Sequence, residues 1–272
     1  MKSISLLISW LLPFASYSQS GGTAIVAVRY VFLHIQDTTD RSAVTRENMV
    51  LYLGGSASVY TSLDKMNRAS EMRLGYESAM RELGKTPDPL YRPIATVSYF
   101  KEPSVSRLVT VEVAAGKAYT FSESLPVIDW NIEQQTKTIG GFPCQKATAA
   151  FRGRRYTAWF STKLSYNNGP WKLGGLPGLI LEAEDDSKEV VFEFAGLDDV
   201  SAQQVALTPE KDAIVTTPAE LQLLKDAIRK NPSVMHPPGA AGGSVRGETS
   251  AKSAMSPADK KKEFNNPIEK SL

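Results

Sequence analysis

Apolar positions follow three different rhythms along this chain, and each rhythm predicts a different element. From Thr23 to Ile35 the run TAIVAVRYVFLHI is β-branched and aromatic, without Gly or Pro. It predicts a long strand apolar on both faces, hence a central or opening strand. Asn48–Leu53 and Ala57–Ser62 flank Gly54-Gly55, a hairpin pattern. Between Leu63 and Leu83 the spacing lengthens: Met66, Ala69, Met72, Tyr76, Met80 and Leu83 recur every three or four residues with charges between them. This predicts an amphipathic helix with Ser62 as N-cap and Gly84 past its end. A core-facing methionine stripe is the better reading of that face, and an adaptable binding surface is the other.

Thr86–Pro93 carries three prolines and reads as a connector. Short apolar runs then return at Ile94–Phe100, Val105–Val113, Ala118–Phe121 and Val127–Ile132, the pattern of an antiparallel meander. Lys146–Phe151 and Arg154–Phe160 flank Arg152-Gly153, while Leu179–Glu184 and Glu189–Phe194 flank Asp185–Lys188, predicting two further hairpins. Thr217-Pro218-Ala219-Glu220 combines an N-cap, a proline at the first helical position and a glutamate three residues after the cap. With Leu221, Leu224 and Ile228 on one face, it predicts a helix over 218–230. The fold class expected is mainly β (α+β): a curved, partly closed antiparallel sheet of roughly eight to ten strands packed with two helices.

The ends change this picture. Met1-Lys2, the apolar stretch Ile4–Phe14 and the small residues Ser16 and Ser18 form a secretory signal pattern over 1–18, with cleavage expected near Ser18. The apolar stretch, about 11 residues and interrupted by Pro13, falls short of the ~20 a spanning helix needs, so no transmembrane segment is expected in the mature protein. A single domain is expected over 19–231. Residues 232–262 are rich in Pro, Gly, Ala and Ser at their start and end in Lys260-Lys261-Lys262, a flexible linker by composition. Residues 263–272 form a candidate docked terminal strand, with Phe264 and Ile268 as its anchors and a loose tail as the alternative.

Composition excludes several function classes. Lys plus Arg number 31 against 29 for Asp plus Glu, a balance that argues against a nucleic-acid binder driven by counterion release. The single cysteine, Cys144, has no intrachain partner, so the core must hold the fold. The two histidines, His34 and His236, lie in no metal-ligand spacing, and no metal or cofactor is expected. Gly-x-Ser-x-Gly, phosphate-loop, HExxH and dinucleotide patterns are all missing from the sequence.

Three clusters invite chemistry. Lys146, on one strand face with Cys144, would lower the thiol pKa and make it reactive, against the plainer reading of a buried structural cysteine. Tyr156 and Trp159 with Arg152, Arg154 and Arg155 form an aromatic–basic hairpin near Trp130 and Trp171. On a curved sheet these would line a groove for an apolar or anionic ligand, the alternative being a packed core covered by Arg stems. The candidate ligand residues are therefore Trp130, Cys144, Lys146, Arg155, Tyr156, Trp159 and Trp171, with no catalytic residue assigned. The acidic set Glu182, Glu184, Asp185 and Asp186 reads as a solvated edge and turn.

Around Trp171 the chain reads GPWKLGGLPGLILEAED from Gly169 to Asp185. Pro177-Gly178 fits the centre of a type II turn leading into a buried strand. The hexapeptide Gly175-Leu176-Pro177-Gly178-Leu179-Ile180 is the signature of the GLPGLI family of exported bacterial proteins, which this chain resembles. Cys144–Ala147, Arg155–Phe160 and Gly169–Lys172 resemble the family too. Weaker similarities lie at Tyr30–His34, Ser58–Ser62 and Asn266–Glu269. The family carries no established activity, catalytic residues or cofactor, so the resemblance implies an exported β-rich domain in the periplasm or at the outer membrane. It also implies that the Asn266–Glu269 ending returns to the domain. Function is expected to be binding or accessory, for an apolar or anionic ligand or an envelope partner, leaning away from an enzyme. The alternative is a hydrolase or thiol-dependent enzyme using Cys144.

Overall fold

The computed structural model describes residues 22–89, 96–231 and 265–270. The expected signal 1–18, the linker 232–262, His236 and Phe264 lie outside them. The protein is mainly β, as its patterning predicts, and its described strands form one twelve-stranded sheet. These are β1 (Val26–Ile35), β2 (Val44–Leu53), β3 (Ser58–Ser62), β4 (Val97–Glu102), β5 (Arg107–Ala114), β6 (Lys117–Ser124), β7 (Asn131–Ile139), β8 (Phe142–Phe151), β9 (Arg154–Ser161), β10 (Leu179–Asp185), β11 (Val190–Asp199) and β12 (Ile214–Val215). Two helices, α1 (Leu63–Glu82) and α2 (Pro218–Lys230), complete the order.

Two meanders, β1–β6 and β7–β11, are joined where β11 pairs with β1, giving the order β12-β6-β5-β4-β3-β2-β1-β11-β10-β9-β8-β7. The run 23–35 thus becomes a central strand, and it is buried on both faces because Val28, Tyr30 and Phe32 point to one side and Ala27 and Val31 to the other. Every pair is antiparallel except the short β12–β6 contact, so the sheet is mixed. Arg152-Gly153, Gly140-Gly141 and Ala115-Gly116 all take positive φ in pairs, the backbone that two-residue hairpins demand.

Side-chain distances reveal how far the sheet curls. β3 and β11 stand three strand intervals apart, about 14 Å in a flat sheet, yet the Tyr60 and Phe192 rings are 6.4 Å apart. Glu123 on β6 and Arg152 beside β8, second from opposite ends of the order, form an ion pair at 3.4 Å. The concave face therefore closes on itself through side chains, but among the described residues no ladder joins the β7 and β12 edges: the expected partial closure is an open, strongly curled sheet.

Apolar residues divide accordingly. An inner cluster holds Tyr30, Tyr60, Tyr156, Phe160, Trp171 and Phe192. An outer cluster holds Ala27, Val50, Val59, Phe100 and Val109, covered by Val200 and Leu207.

The helices follow different rules. α2 starts with the predicted capping box: Glu220 N–H donates to Thr217 Oγ1 at 3.2 Å and Thr217 N–H to Glu220 Oε2 at 3.0 Å. It buries Leu221 and is tied down by a Lys225–Glu112 pair at 2.8 Å. α1 has the predicted Ser62 cap and Gly84 at φ +65, but it buries no residue at all. Met72 is 47% and Leu74 68% exposed, so its methionine stripe does not face a core. The reason is that charged residues interleave the methionines too densely to leave a continuous apolar face. The meander also shifts: β7 begins at Asn131, not Val127, whose side chain is solvent-exposed, because the polar stretch Glu133–Thr138 pairs as an edge strand.

Candidate functional site

The segment 162–178 leaves β9, crosses the concave face and returns as β10. Its residues 168–173 are all buried, so the chain fills its own groove. Trp171 stacks on Phe192 at 6.5 Å with an interplanar angle of 13°, and its ring also meets Phe151 and Tyr156. It takes φ +52, a conformation costing about 1–3 kcal/mol for a side-chain-bearing residue and offset by full burial of its ring.

The glycine-rich signature is what lets this segment pass so close to the sheet. A Cβ on Gly178 would lie 2.3 Å from the Ser161 carbonyl oxygen, and one on Gly169 would lie 2.8 Å from Ile180 Cβ. The turn at Pro177 is not type II. Gly178 N–H donates to the Leu176 carbonyl two residues back at 2.8 Å, and Gly178 has φ +155, a three-residue turn centred on Pro177.

Polar pins fix the segment and the start of β10 that follows it. Tyr30 Oη donates to Ile180 O at 2.7 Å, Trp130 Nε1 to Gly174 O at 2.8 Å, and Asn168 Nδ2 to Ser58 Oγ at 2.8 Å. The principal pin is Lys101 of β4, a buried ammonium donating to Asn168 Oδ1 (2.9 Å), Gly169 O (2.9 Å) and Leu173 O (2.6 Å). Burial pushes its pKa down to about 7, while its oxygen partners pull the other way, because only the charged form has three donors.

A second polar centre lies behind the β9–β10–β11 turns. Arg154, with a side chain 1% exposed, donates from Nη1 to Asp185 Oδ2 at 2.6 Å and to Glu189 Oε2 at 3.1 Å. Its remaining nitrogens turn to the C-terminal segment: Nη2 to Asn266 Oδ1 (2.6 Å) and Pro267 O (2.7 Å), and Nε to Ile268 O (3.0 Å). Asp185 Oδ1 accepts from the Glu189 and Val190 N–H groups. Burial would raise the Glu189 pKa, but hydrogen bonds from Arg41, Arg154 and Lys270 outweigh it and hold the carboxyl at about 2. His34 Nε2 lies 2.8 Å from Asn266 O. A carbonyl only accepts, so this nitrogen carries the proton.

The predicted ligand residues divide between two faces of the sheet, with Cys144, Lys146 and Trp159 on one side of β8 and β9. Tyr156 and Trp159 are three apart on β9 and so stand on opposite faces. Tyr156 and Trp171 are buried inside, and Trp130 caps the crossing segment at the rim. Lys146, Arg155 and Trp159 are on the outer face, where Lys146 pairs with Glu133 at 3.1 Å and Arg155 with Asp186 at 3.8 Å. Trp159 is half-buried there, with Lys137 Nζ 4.5 Å from its ring centroid and Glu182 opposite it in register. Cys144 is buried and donates to Phe142 O at 3.4 Å. Burial pushes its thiol up, the reverse of the activation that a neighbouring Lys146 predicts. Asp185 also changes role, from turn residue on a solvated edge to buried partner of Arg154.

Sequence reasoning missed Lys101 as the pin, and also Asn168, Glu189 and His34. Lys101 had one readable signal: it shares with Tyr99 the face opposite Phe100 in an aromatic strand.

No family model matches the chain, and no curated protein matches it. Among solved structures it is similar to PNGF-II in two space groups, with a TM-score of 0.52 in each. Identity is 9% and 12%, over 74% of this chain, and the chain spans about a third of the length of those proteins, 33% and 32%. That likeness is one of fold.

Proposed function

We propose that this chain is an exported envelope protein of the GLPGLI type that works by binding a partner protein, not by catalysis, through the outer face of β8–β10. The observation that supports this reading is Trp159: half-buried among Lys137, Lys146 and Glu182 on a mixed-charge sheet face, while the concave face is taken up by the segment 162–178. A central aromatic ringed by polar side chains is the composition of a protein-binding surface. Arg155 and Glu184, further along the same face, extend the rim.

The test places a photo-crosslinking residue at Thr157 in cells that express the protein natively. A discrete adduct is expected, lost on Trp159→Ala and retained in a control substitution on α1, Met72→Ala. An adduct indifferent to Trp159→Ala contradicts the reading. N-terminal sequencing of the envelope-purified protein should begin near Gln19, and an intact Met1 would contradict export.

A further inference from the structure

The C-terminal segment Asn265–Lys270 is held in a way that resembles recognition of a peptide ligand more than continuation of a fold. It forms no strand. Every polar atom of Asn266 is engaged: its N–H donates to Gln36 O (3.1 Å), its carbonyl accepts from His34, its Oδ1 accepts from Arg154, and its Nδ2 donates to Ile35 O (2.6 Å). Asn265 Oδ1 accepts from Thr38 N–H at 2.9 Å. Glu269 pairs with Lys172 at 2.9 Å, Lys270 N–H donates to Arg152 O at 2.9 Å, and Ile268 packs on the inner cluster.

These groups come from five separate places, β1, the loop after it, the β8–β9 turn, β9 and the crossing segment, so the core builds the slot independently of the segment's own chain connection. Most contacts are hydrogen bonds, which water can replace if the segment leaves.

We infer that this slot is a peptide-recognition site that accepts an Asn-Asn-Pro-Ile-Glu-Lys segment in trans, from a second copy of this chain, as well as in cis. Residues 232–264 lie between the end of α2 and the segment. Extended, such a length spans up to about 110 Å, against a width of about 40–45 Å for a domain of this size. The connection is therefore long enough to reach a neighbouring copy's slot.

The experiment uses the full chain with a protease recognition sequence inserted between 240 and 250, folded first and cleaved afterwards, so that the slot is filled without a covalent tether. The cleaved tail is expected to co-elute with the core on gel filtration and to exchange for a labelled synthetic peptide of residues 262–272 at one per core. A peptide carrying Asn266→Ala should compete at least about tenfold more weakly, a loss of its paired hydrogen bonds. An uncleaved, tagged second copy added to the cleaved core should retain it on the tag. Loss of the tail on cleavage with no peptide uptake overturns the proposal, as does equal competition by the Asn266→Ala peptide. Peptide uptake without retention by the second copy overturns the trans occupant.

Discussion

Two buried cations each fasten a segment to the same sheet, and they do so with opposite electrostatics. Lys101 meets three neutral oxygens of the crossing segment, whereas Arg154 meets two carboxylates and three oxygens of the C-terminal segment. An ammonium in such a site can shed its proton, so its contribution varies near neutrality. A guanidinium cannot, and its hold changes only when its carboxylates are titrated. The difference teaches which contact responds to pH above neutrality and which only in acid.

Removing Arg154 should have the largest effect. Arg154→Met leaves the buried Asp185 without its counter-ion, while Glu189 keeps Arg41 and Lys270, and denaturant unfolding should show a loss of about 3–5 kcal/mol. Lys101→Met leaves neutral oxygens without donors but no stranded charge, and should cost less, about 1–3 kcal/mol. A Lys101 variant as costly as the Arg154 variant would erase the distinction.

The pH profiles sharpen it. The folded pKa of Lys101, about 7, lies below its ordinary 10.5. Between those values the unfolded chain binds more protons, so the stability gap between wild type and Lys101→Met should widen as pH rises from 7 to 10. Glu189 titrates at the other end of the scale: its folded pKa, about 2, lies below the ordinary 4.5. Its contribution is complete above pH 4.5 and is lost as pH falls toward 2. His34 adds to this acid sensitivity: burial holds its folded pKa below the ordinary 6.5, so the unfolded chain takes up the proton first and stability falls as pH drops below 6.5. Thermal melts of the two variants against wild type across this range are the check. The smallest effect belongs to Trp159→Ala, which should cost about 1–2 kcal/mol because the ring packs against the core cluster but stays partly exposed on the outer face.

What the sequence made legible depended on whether a local rule decided the outcome. The α2 capping box and the paired positive-φ hairpins are local, and they form as their residues demand. The faces of β9 are equally readable, since period two separates Tyr156 from Trp159; grouping them as one aromatic wall overlooks it. α1 shows the opposite limit, because three- and four-residue spacing sets a helix but not whether anything packs on it. The C-terminal segment shows another: apolarity points to Phe264 and Ile268 as anchors, yet the densest contacts fall on Asn266, whose partners are distant in sequence and unite only when β1 and β9 come together. Lys101 is only faintly legible for a similar reason: its place beside Tyr99 on the face opposite Phe100 is readable, but a lysine is assigned to the surface until its three oxygens appear around it.

The claim on which the rest depends is that segment 162–178 fills the concave face and leaves the outer face for a partner. Hydroxyl-radical footprinting read by mass spectrometry tests it on the unaltered protein, tryptophan by tryptophan. In the purified protein Trp159 should be oxidised while Trp171 is protected, and in native envelopes Trp159 should become protected as well. Oxidation of Trp171 at a rate comparable to Trp159 would show an open concave face and contradict the claim.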